Sequence, residues 1–277
     1  MPEGDTIFRA ANTLQIALAG RTVTAFETVF PQLARVHDDA PIVGRTIEVV
    51  SAAGKHLLMT FSGDLHLRTH MRMNGSWHIY RPGEKWRKRR VDMRIVIETS
   101  EWVAVAFNVP VAEFHNSDSL IRQPDLRRIG PDLLAENFDQ EEAIRRIRER
   151  SGEEIADVLL NQRVVAGIGN EYKNEVLFIS GVNPFAMVDT LTNEVLSLLL
   201  GHARRLMVAN VRMRTGARVT TGSLDPEQKQ YVYARSGRAC RKCGTRIRYV
   251  KQGKDARGTY WCPACQPDGS RTLESDV

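Results

Sequence analysis

Apolar residues near the start of the chain recur every three to four positions. Ile7, Leu14 and Leu18 fall on one face of a helix predicted over Thr6–Ala19, and the pattern ends at Gly20. The chain therefore opens a few residues before an amphipathic helix.

Seven short segments after this helix are rich in β-branched and aromatic residues, with Gly, Ser or charged residues between them. The segments are Thr22–Val29, Thr46–Ser51, His56–Phe61, Asp64–Met71, Ser76–Arg81, Met93–Thr99 and Trp102–Phe107. No helical period of any length interrupts them, so the pattern predicts an antiparallel β-sandwich rather than a parallel sheet with crossover helices.

The hydrophobic pattern changes after Arg128. A Gly-Pro-Asp cluster at 130–132 breaks regular structure, and from Leu133 to about Met213 the apolar period is helical. The predicted helices are Gln140–Arg150, Gly152–Leu160, Glu171–Ser180 and Thr192–Met213.

These patterns predict an α+β fold in several parts. Residues 1–130 would form an antiparallel β-sandwich with flanking helices, 131–230 a helical domain, and 231–266 a small β-hairpin that carries the cysteines. The polar tail at 267–277 has little to bury and is predicted to be disordered.

The composition adds a weak indication about partners. The 277 residues are 42% hydrophobic and 26% charged, as in soluble globular proteins, and the net charge of +6 favours polyanions. No apolar run approaches the roughly 20 residues needed to cross a bilayer, and the start MPEGDTIFRA does not resemble a signal peptide. We therefore expect a cytoplasmic protein with no membrane partner.

Cysteine spacing gives the strongest local signal. Cys240 and Cys243 form one C-x2-C pair, Cys262 and Cys265 form another, and 18 residues separate the pairs. This spacing is typical of a zinc ribbon, in which four thiolates surround one ion and leave no open position for water. It predicts one structural zinc ion, and the alternative is four unrelated free cysteines.

Basic residues crowd the segment around these cysteines, with Asp255 as its one acid. They are Arg238, Arg241, Lys242, Arg246, Arg248, Lys251, Lys254 and Arg257. Such one-sign density favours a nucleic-acid backbone, and the alternative is an ordinary solvated surface.

A G-x-G-N turn separates two helical patterns in LLNQRVVAGIGNEYKNEVLF, residues 159–178. Gly167 and Gly169 permit a tight turn, and Asn170 is placed to cap the next helix. A helix N-terminus of this kind can bind phosphate, although a plain helical hairpin would show the same motif.

The N-terminus offers a candidate nucleophile. Removal of Met1 would expose Pro2 as a secondary amine with a pKa near 8, well below the value near 10.4 of a lysine. Such an amine can form an iminium with a sugar aldehyde, and the adjacent Glu3 can act as a general acid. Many chains begin Met-Pro for no such reason.

Taken together, these motifs resemble the formamidopyrimidine-DNA glycosylase and endonuclease VIII family of DNA-repair enzymes. The matching segments are MPEG at the start, GKHLLMTF at 54–61, LRTHMRMNGSW at 67–77, RRIGPDLL at 127–134, the 159–178 segment, and the two halves of the cysteine hairpin. The resemblance covers nearly the whole chain. It implies a β-sandwich, a helix-two-turn-helix domain and a zinc finger, with damaged DNA bound in a cleft.

The resemblance also implies roles in the reaction. Pro2 would attack the sugar C1′ and form a Schiff base, and Glu3 would help to open the sugar ring. Lys55 matches the lysine assigned to β-elimination, and Arg257 matches the hairpin arginine assigned to δ-elimination. Zinc would serve this chemistry indirectly, by holding Arg257 in place.

Further positions match residues that contact DNA in the family. Asn170 and Arg128 match contacts to the backbone, and Glu175 matches an acidic residue near the active site, with an ordinary helix carboxylate as the alternative. Arg72 and Met73 match the wedge that fills the space of a flipped nucleotide. A role in the core is the alternative for Met73.

Several features resemble the endonuclease VIII branch, including MPEG, LRTH and YWCPAC. The chain also has Asn108–Asp118 where the purine-specific branch has an Arg-Arg-Phe-Gly wedge loop. These features predict a monomeric base excision repair enzyme that removes oxidised pyrimidines from duplex DNA, or from single strands or bubbles. Asp5-Thr6 departs from the Pro-Glu of many members, which leaves no carboxylate at the sixth position.

Three other functions remain open from the sequence. The chain could carry out the same reaction on oxidised purines, bind damaged DNA without catalysis, or use its zinc ribbon to bind a protein partner. A protein that only binds DNA would not need Pro2, Glu3 and Lys55 together.

Overall fold

The computed structural model describes residues 2–213 and 218–268. The chain divides into two compact units, unit 1 (Met1–Arg128) and unit 2 (Ile129–Val277). Most of the tail predicted to be disordered, from residue 269 onward, lies outside the described residues, and the finer division at residue 230 stays a prediction. No helix in the described ranges is both long and apolar enough to span a membrane.

Unit 1 is a sandwich of two antiparallel four-stranded sheets with four helices. One sheet has the order β1-β6-β7-β5 and the other β2-β3-β4-β8. The strands are β1 (Ala25–Thr28), β2 (Ile47–Ala53), β3 (His56–Phe61), β4 (Leu65–His70), β5 (Ser76–Tyr80), β6 (Met93–Glu98), β7 (Val103–Phe107) and β8 (Val111–His115). The helices are α1 (Gly4–Leu18), α2 (Pro31–Asp39), α3 (Ser117–Arg122) and α4 (Pro124–Arg127).

The core of unit 1 joins the apolar face of α1 to the inner faces of the sheets. Ile7 and Leu14 of α1 share one buried cluster with Leu57, Met59 and Phe61 of β3. The three residues of β3 alternate along the strand, because successive side chains of a strand point to opposite faces of its sheet. This packing confirms the predicted sandwich and holds α1, with the start of the chain, against the sheets.

The sequence-based prediction did not locate strand β8 or helices α2, α3 and α4 of unit 1. The expectation that no helix interrupts the strands is wrong, since α2 lies between β1 and β2. Its only fully buried residue is Leu33, so it has no apolar period to detect. Strand β8 was missed because Glu113 and His115 lie among its five residues.

Unit 2 is mainly helical. Its helices are α5 (Gln140–Arg148), α6 (Ile155–Leu160), α7 (Asn170–Ile179) and α8 (Asn193–Arg212), and its strands are β9 (Arg248–Gln252) and β10 (Arg257–Trp261). Short 3-10 helices lie at Arg90–Asp92 in unit 1 and at Val188–Thr190 in unit 2. Leu159, Val176 and Leu200 belong to the cluster that joins α6, α7 and α8. The predicted α+β class is confirmed.

A second, much smaller cluster lies around the cysteines. It consists of Phe178, Val232, Cys240, Ile247 and Cys262. So few apolar residues bury too little surface to hold the antiparallel hairpin of β9 and β10 by themselves. Other interactions must therefore stabilise this part of unit 2.

Candidate functional site

Pro2 and Glu3 lie at the N-terminal end of α1. The carbonyl of Glu3 accepts hydrogen bonds from the amides of Thr6 (3.0 Å) and Ile7 (3.1 Å), so the helix begins directly after it. Pro2 is partly exposed, whereas Glu3 has 0% exposure. The sandwich therefore holds a buried carboxyl group beside the second residue of the chain.

Asp5, at the departure from the family pattern, is also fully buried. Its carboxylate accepts a hydrogen bond from the hydroxyl of Thr6 (3.3 Å) and lies 4.0 Å from the guanidinium of Arg9. The first turn of α1 thus contains a second buried carboxylate. It lies at position 5, whereas many family members have a glutamate at position 6.

Lys55 lies in the two-residue turn between β2 and β3, which Ala53 and His56 close as a strand pair. Gly54 has a φ of +56°, a conformation that suits glycine and keeps this turn tight. Lys55 is partly exposed, and its charge helps to lower the pKa of His70. The charge of Lys55 therefore acts on His70, at the end of β4.

Two histidines beside Lys55 are held neutral. His56 and His70 are neighbours across β3 and β4, with ring centroids 4.8 Å apart. Nδ1 of His56 faces the guanidinium of Arg68 at 3.1 Å, and Nδ1 of His70 accepts the amide of Arg72 at 3.1 Å. Burial lowers the pKa of His56 to about 3 and that of His70 to about 4, with cationic neighbours adding to both effects.

Neither histidine stands out from the sequence pattern. His56 lies within the segment GKHLLMTF, and His70 lies within LRTHMRM. Their proximity depends on the register of β3 against β4, which the sequence pattern does not specify. With the rings neutral, Lys55 and Arg72 supply the positive charge at this end of the sheet.

The predicted wedge is an exposed turn between β4 and β5. The amide of Gly75 donates to the carbonyl of Met71 at 2.9 Å, and Arg72 has a φ of +46°. Met73 is 55% exposed, which contradicts a role in the core. Together with Asn74, Arg94 and 108–110, this turn lines a cavity of about 400 Å³.

Two other predictions concern the end of unit 1. Arg128, the last residue of the unit, is exposed. The segment Asn108–Asp118 is largely β8 and the start of α3. It therefore leaves only a short turn where the purine-specific branch has its wedge loop.

The G-x-G-N turn of unit 2 is fixed by the side chain of Gln162. Its Oε1 accepts the amide of Gly167 at 3.0 Å, and its Nε2 donates to the carbonyl of Ile168 at 2.9 Å. Gly167 has a φ of +102°, a conformation that favours glycine. Gly169 has a φ of −120°, which any residue adopts.

Asn170 does not cap α7, and that prediction is wrong. Gly169 takes the N-cap position, and Asn170 is the first helical residue. Its side chain donates instead to the carbonyl of Gly258 at 2.9 Å. Since Gly258 follows Arg257 in β10, the structure brings two of the predicted residues, Asn170 and Arg257, close together.

Glu175 is more than an ordinary helix carboxylate. It has 0% exposure, and it accepts the backbone amides of Tyr231, Val232 and Tyr233, each at 2.8 Å. The hydroxyl of Thr220 donates to it as well. Burial raises the pKa of this carboxyl, whereas the four donors act in the opposite direction.

The four cysteines converge, as their spacing predicts. All four Sγ atoms lie within 4.8 Å of one another. Sγ of Cys243 is 3.4 Å from that of Cys262 and 3.5 Å from that of Cys265, and Sγ of Cys240 is 3.9 Å from that of Cys265. Four sulfurs about 2.3 Å from a tetrahedral ion would be about 3.8 Å apart, so the cluster fits a metal ion.

Comparison with protein families assigns both units. Residues 1–131 match the formamidopyrimidine-DNA glycosylase N-terminal domain, and residues 129–221 match the formamidopyrimidine-DNA glycosylase H2TH domain.

Relatives match over nearly the whole chain. The chain is 37% identical to a probable endonuclease 8 2 of Streptomyces coelicolor over 273 residues, which cover 96% of this chain and 94% of that protein. It is 35% identical over 269 residues to the DNA-(apurinic or apyrimidinic site) lyase Nei2 of Mycolicibacterium smegmatis, covering 96% and 99%.

A solved structure with the same fold is that of Lactococcus lactis Fpg in complex with DNA that contains an abasic site. The TM-score is 0.80 at 23% identity, with 96% of this chain and 100% of that chain covered. The sequence matches go beyond this similarity of fold. The chain belongs to the formamidopyrimidine-DNA glycosylase and endonuclease VIII family of DNA-repair glycosylases.

Proposed function

We propose that this glycosylase of base excision repair removes oxidised pyrimidines through a Schiff base on Pro2 and then nicks the DNA strand. The observation that carries the proposal is the pairing of Pro2 with the fully buried Glu3 at the N-terminal end of α1. A nucleophilic amine and a general acid on consecutive residues are what base removal with ring opening needs.

The position of Pro2 favours its reactive form. Once Met1 is removed, the secondary amine lies at the positive end of the dipole of α1. A positive potential disfavours the ammonium form, so more of the amine is unprotonated at neutral pH. Its nitrogen forms a bond to the sugar C1′ as the bond from C1′ to the base breaks, and the base leaves with the proton that the amine loses.

Glu3 acts on the sugar ring in this proposal. It donates a proton to the ring oxygen as the bond from C1′ to that oxygen breaks and the iminium forms. Removal of a proton from C2′ then expels the 3′-phosphate by β-elimination. A second elimination expels the 5′-phosphate, and water releases Pro2.

Positive charge on each unit supports phosphate binding. In unit 1, Lys55 and Arg72 both act on His70, so their charges lie close to one point of the surface. In unit 2, Arg257 is the first residue of β10, and the hairpin of β9 and β10 is rich in basic residues. A guanidinium binds two phosphate oxygens at once, which suits Arg257 to the δ-elimination step.

The metal in this proposal is zinc, held by Cys240, Cys243, Cys262 and Cys265. Four sulfur ligands leave no position for water or substrate, so the ion supplies structure only. Hydrogen bonds from Thr245 lower the pKa of the Cys243 thiol to about 6, whereas burial raises the pKa of the Cys262 and Cys265 thiols, so the charge of a bound ion would be needed to deprotonate all four.

Two observations support pyrimidine lesions over purine lesions. The sequence similarity is to proteins named endonuclease 8, and the turn at 108–110 is too short for an Arg-Arg-Phe-Gly wedge loop. A panel of duplexes with thymine glycol, dihydrouracil, 8-oxoguanine or an abasic site tests this preference. Faster release of 8-oxoguanine than of both pyrimidine lesions would contradict it.

Borohydride trapping tests the mechanism itself. The purified protein should form a covalent adduct with abasic DNA, and Pro2→Gly should trap far less. A protein that keeps a blocked residue ahead of Pro2 serves as the matched control, because it retains every side chain but has no free amine there. Trapping by the blocked protein would show that an amine other than Pro2 is the nucleophile. No adduct with the wild type would favour a protein that only binds damaged DNA.

A further inference from the structure

One edge of β10 is occupied by side chains of α7 rather than by another strand. Its other edge pairs with β9. The carboxamide of Asn174 accepts the amide of Tyr260 through Oδ1 at 2.6 Å and donates to the carbonyl of Gly258 through Nδ2 at 3.2 Å. The amide of one strand residue and the carbonyl of the residue two before it face the same edge, so Asn174 takes the place of a third strand.

The carbonyl of Gly258 accepts further hydrogen bonds from the same face of α7. Asn170 donates to it at 2.9 Å and the ammonium of Lys173 at 3.3 Å. Lys173 also donates to the hydroxyl of Thr259 at 2.7 Å. Three donors on one carbonyl, one of them charged, fix this peptide more firmly than ordinary strand pairing does.

All three donors are buried. Asn170 is 8% exposed, and Lys173 and Asn174 are each 1% exposed. They lie at positions one, four and five of α7, and positions three and four apart on a helix share a face. A lysine and two asparagines on a buried helix face, all directed at one peptide, are a built contact rather than a chance surface pairing.

This peptide joins Arg257 to the rest of β10. Gly258 directly follows Arg257, whereas the nearest cysteine, Cys262, comes five residues after it. A metal ion at the cysteines can fix β10 only through the intervening strand. The hydrogen bonds from α7 act on the adjacent residue.

We infer that Asn174, assisted by Lys173, is a positioning residue that sets the backbone of Arg257 for its contact with a DNA phosphate. The inference rests on the role proposed above for Arg257. It assigns to α7, and not to the metal alone, the placement of the guanidinium. The residue that positions Arg257 therefore lies in the helix of the G-x-G-N motif, 83 positions away in sequence.

The test separates positioning from simple stabilisation by measuring salt dependence. Each phosphate contact that is lost lowers the slope of log affinity against log salt by about one. Affinity for a duplex with a reduced abasic analogue is measured from 50 to 300 mM salt for wild type, Asn174→Ala, Arg257→Ala and the double variant. Zinc content and the melting temperature are recorded for each protein.

Asn174→Ala should lower the slope by about one, weaken binding by about tenfold and reduce the share of δ-elimination product, as Arg257→Ala does. The double variant should lose no more than Arg257→Ala alone, because both changes remove the same contact. The matched control is Asn183→Ala. Asn183 is a buried asparagine that donates to the carbonyl of Gln266, at the far end of the cysteine module (residues 240–266), so its loss should leave the slope unchanged.

The inference would be overturned if Asn174→Ala kept the wild-type salt slope, or if the double variant lost more affinity for DNA than Arg257→Ala alone. Either result would leave the role of Arg257 intact. A wild-type slope for Arg257→Ala would overturn both. Borohydride trapping through Pro2 is independent of these outcomes and reports separately on the proposed reaction. If Asn174→Ala does not fold, Lys173→Met gives the same readout, because it removes a donor to the same carbonyl.

Discussion

Glu175 accepts the backbone amide of Val232 at 2.8 Å from a carboxylate with 0% exposure. The amides of Tyr231 and Tyr233 share the same carboxylate, so one acidic side chain of α7 holds three consecutive peptides of the segment that leads into the cysteine module. Helix α7 therefore binds this module at its entry through Glu175 and at β10 through Asn174.

Removal of Glu175 should destabilise unit 2 severely. In Glu175→Ala the buried amide of Val232 loses its acceptor, at about 1–3 kcal/mol, and the part-buried hydrogen bonds from Tyr231 and Tyr233 are lost as well, so we expect a loss of about 3 kcal/mol. Glu175→Gln should lose less, because its one carbonyl oxygen still accepts a hydrogen bond. Urea denaturation followed by circular dichroism measures both.

The control for this change is Glu149→Ala. Glu149 is exposed and pairs with Arg145 on the surface of α5, and such pairs contribute at most about 1 kcal/mol. Equal stability of Glu175→Ala and Glu149→Ala would show that the buried carboxylate contributes nothing beyond a surface ion pair.

Local spacing predicted the parts of this molecule whose partners are close in sequence. The cysteine cluster follows from two C-x2-C pairs, and strand β3 has the predicted bounds, His56–Phe61, because its alternating pattern is internal to six residues. Helix α2 gave no such signal, since Leu33 alone is fully buried.

Tertiary partners account for what the sequence could not predict at the site. The sequence predicts that Asn170 caps α7, but its side chain donates to the carbonyl of Gly258, 88 positions away. The amides that Glu175 binds lie 56 to 58 positions away. No helical or strand period relates residues at such distances, so only the folded chain reveals these contacts.

Unit 1 should lose stability as pH falls below about 6.5. The unfolded chain protonates His56 and His70 near their ordinary pKa of 6.5, whereas burial keeps them neutral in the folded state down to about 3 and 4. The unfolded state thus binds up to two more protons between pH 6.5 and 4. Two protons correspond to a fall in the free energy of unfolding of about 2.7 kcal/mol per pH unit. Because His70 is partly exposed, the actual fall should be smaller than this limit.

Tryptophan fluorescence during urea unfolding measures this slope, because Trp77, Trp86 and Trp102 of the four tryptophans lie in unit 1. His56→Gln keeps an acceptor for Arg68 but does not titrate, so it should lose about half of the slope. A slope as steep as that of the wild type would show that other groups cause the acid sensitivity.

Metal removal should unfold the cysteine module and leave unit 1 intact. We expect one zinc per chain by elemental analysis and none in Cys243→Ala. A strong chelator should expose four reactive thiols and change the fluorescence of Trp261, whose ring packs edge-on against Phe185 with centroids 4.9 Å apart. Unchanged fluorescence with the metal fully removed would mean that the contacts of α7 hold β10 without it.

Met73 should matter for duplex DNA and not for single strands. Its exposed side chain can fill the space of a flipped nucleotide, and no neighbouring base pair needs support in a single strand. Met73→Ala should therefore slow excision from a duplex by about tenfold, equivalent to about 1.4 kcal/mol, and leave excision from the same lesion strand alone unchanged. Single-turnover rates on the two substrates measure the effect, with Ile16→Ala as the control, since Ile16 is an apolar residue of α1 that is 82% exposed. Equal slowing on both substrates would place Met73 in the chemistry or in the fold, and not in the wedge.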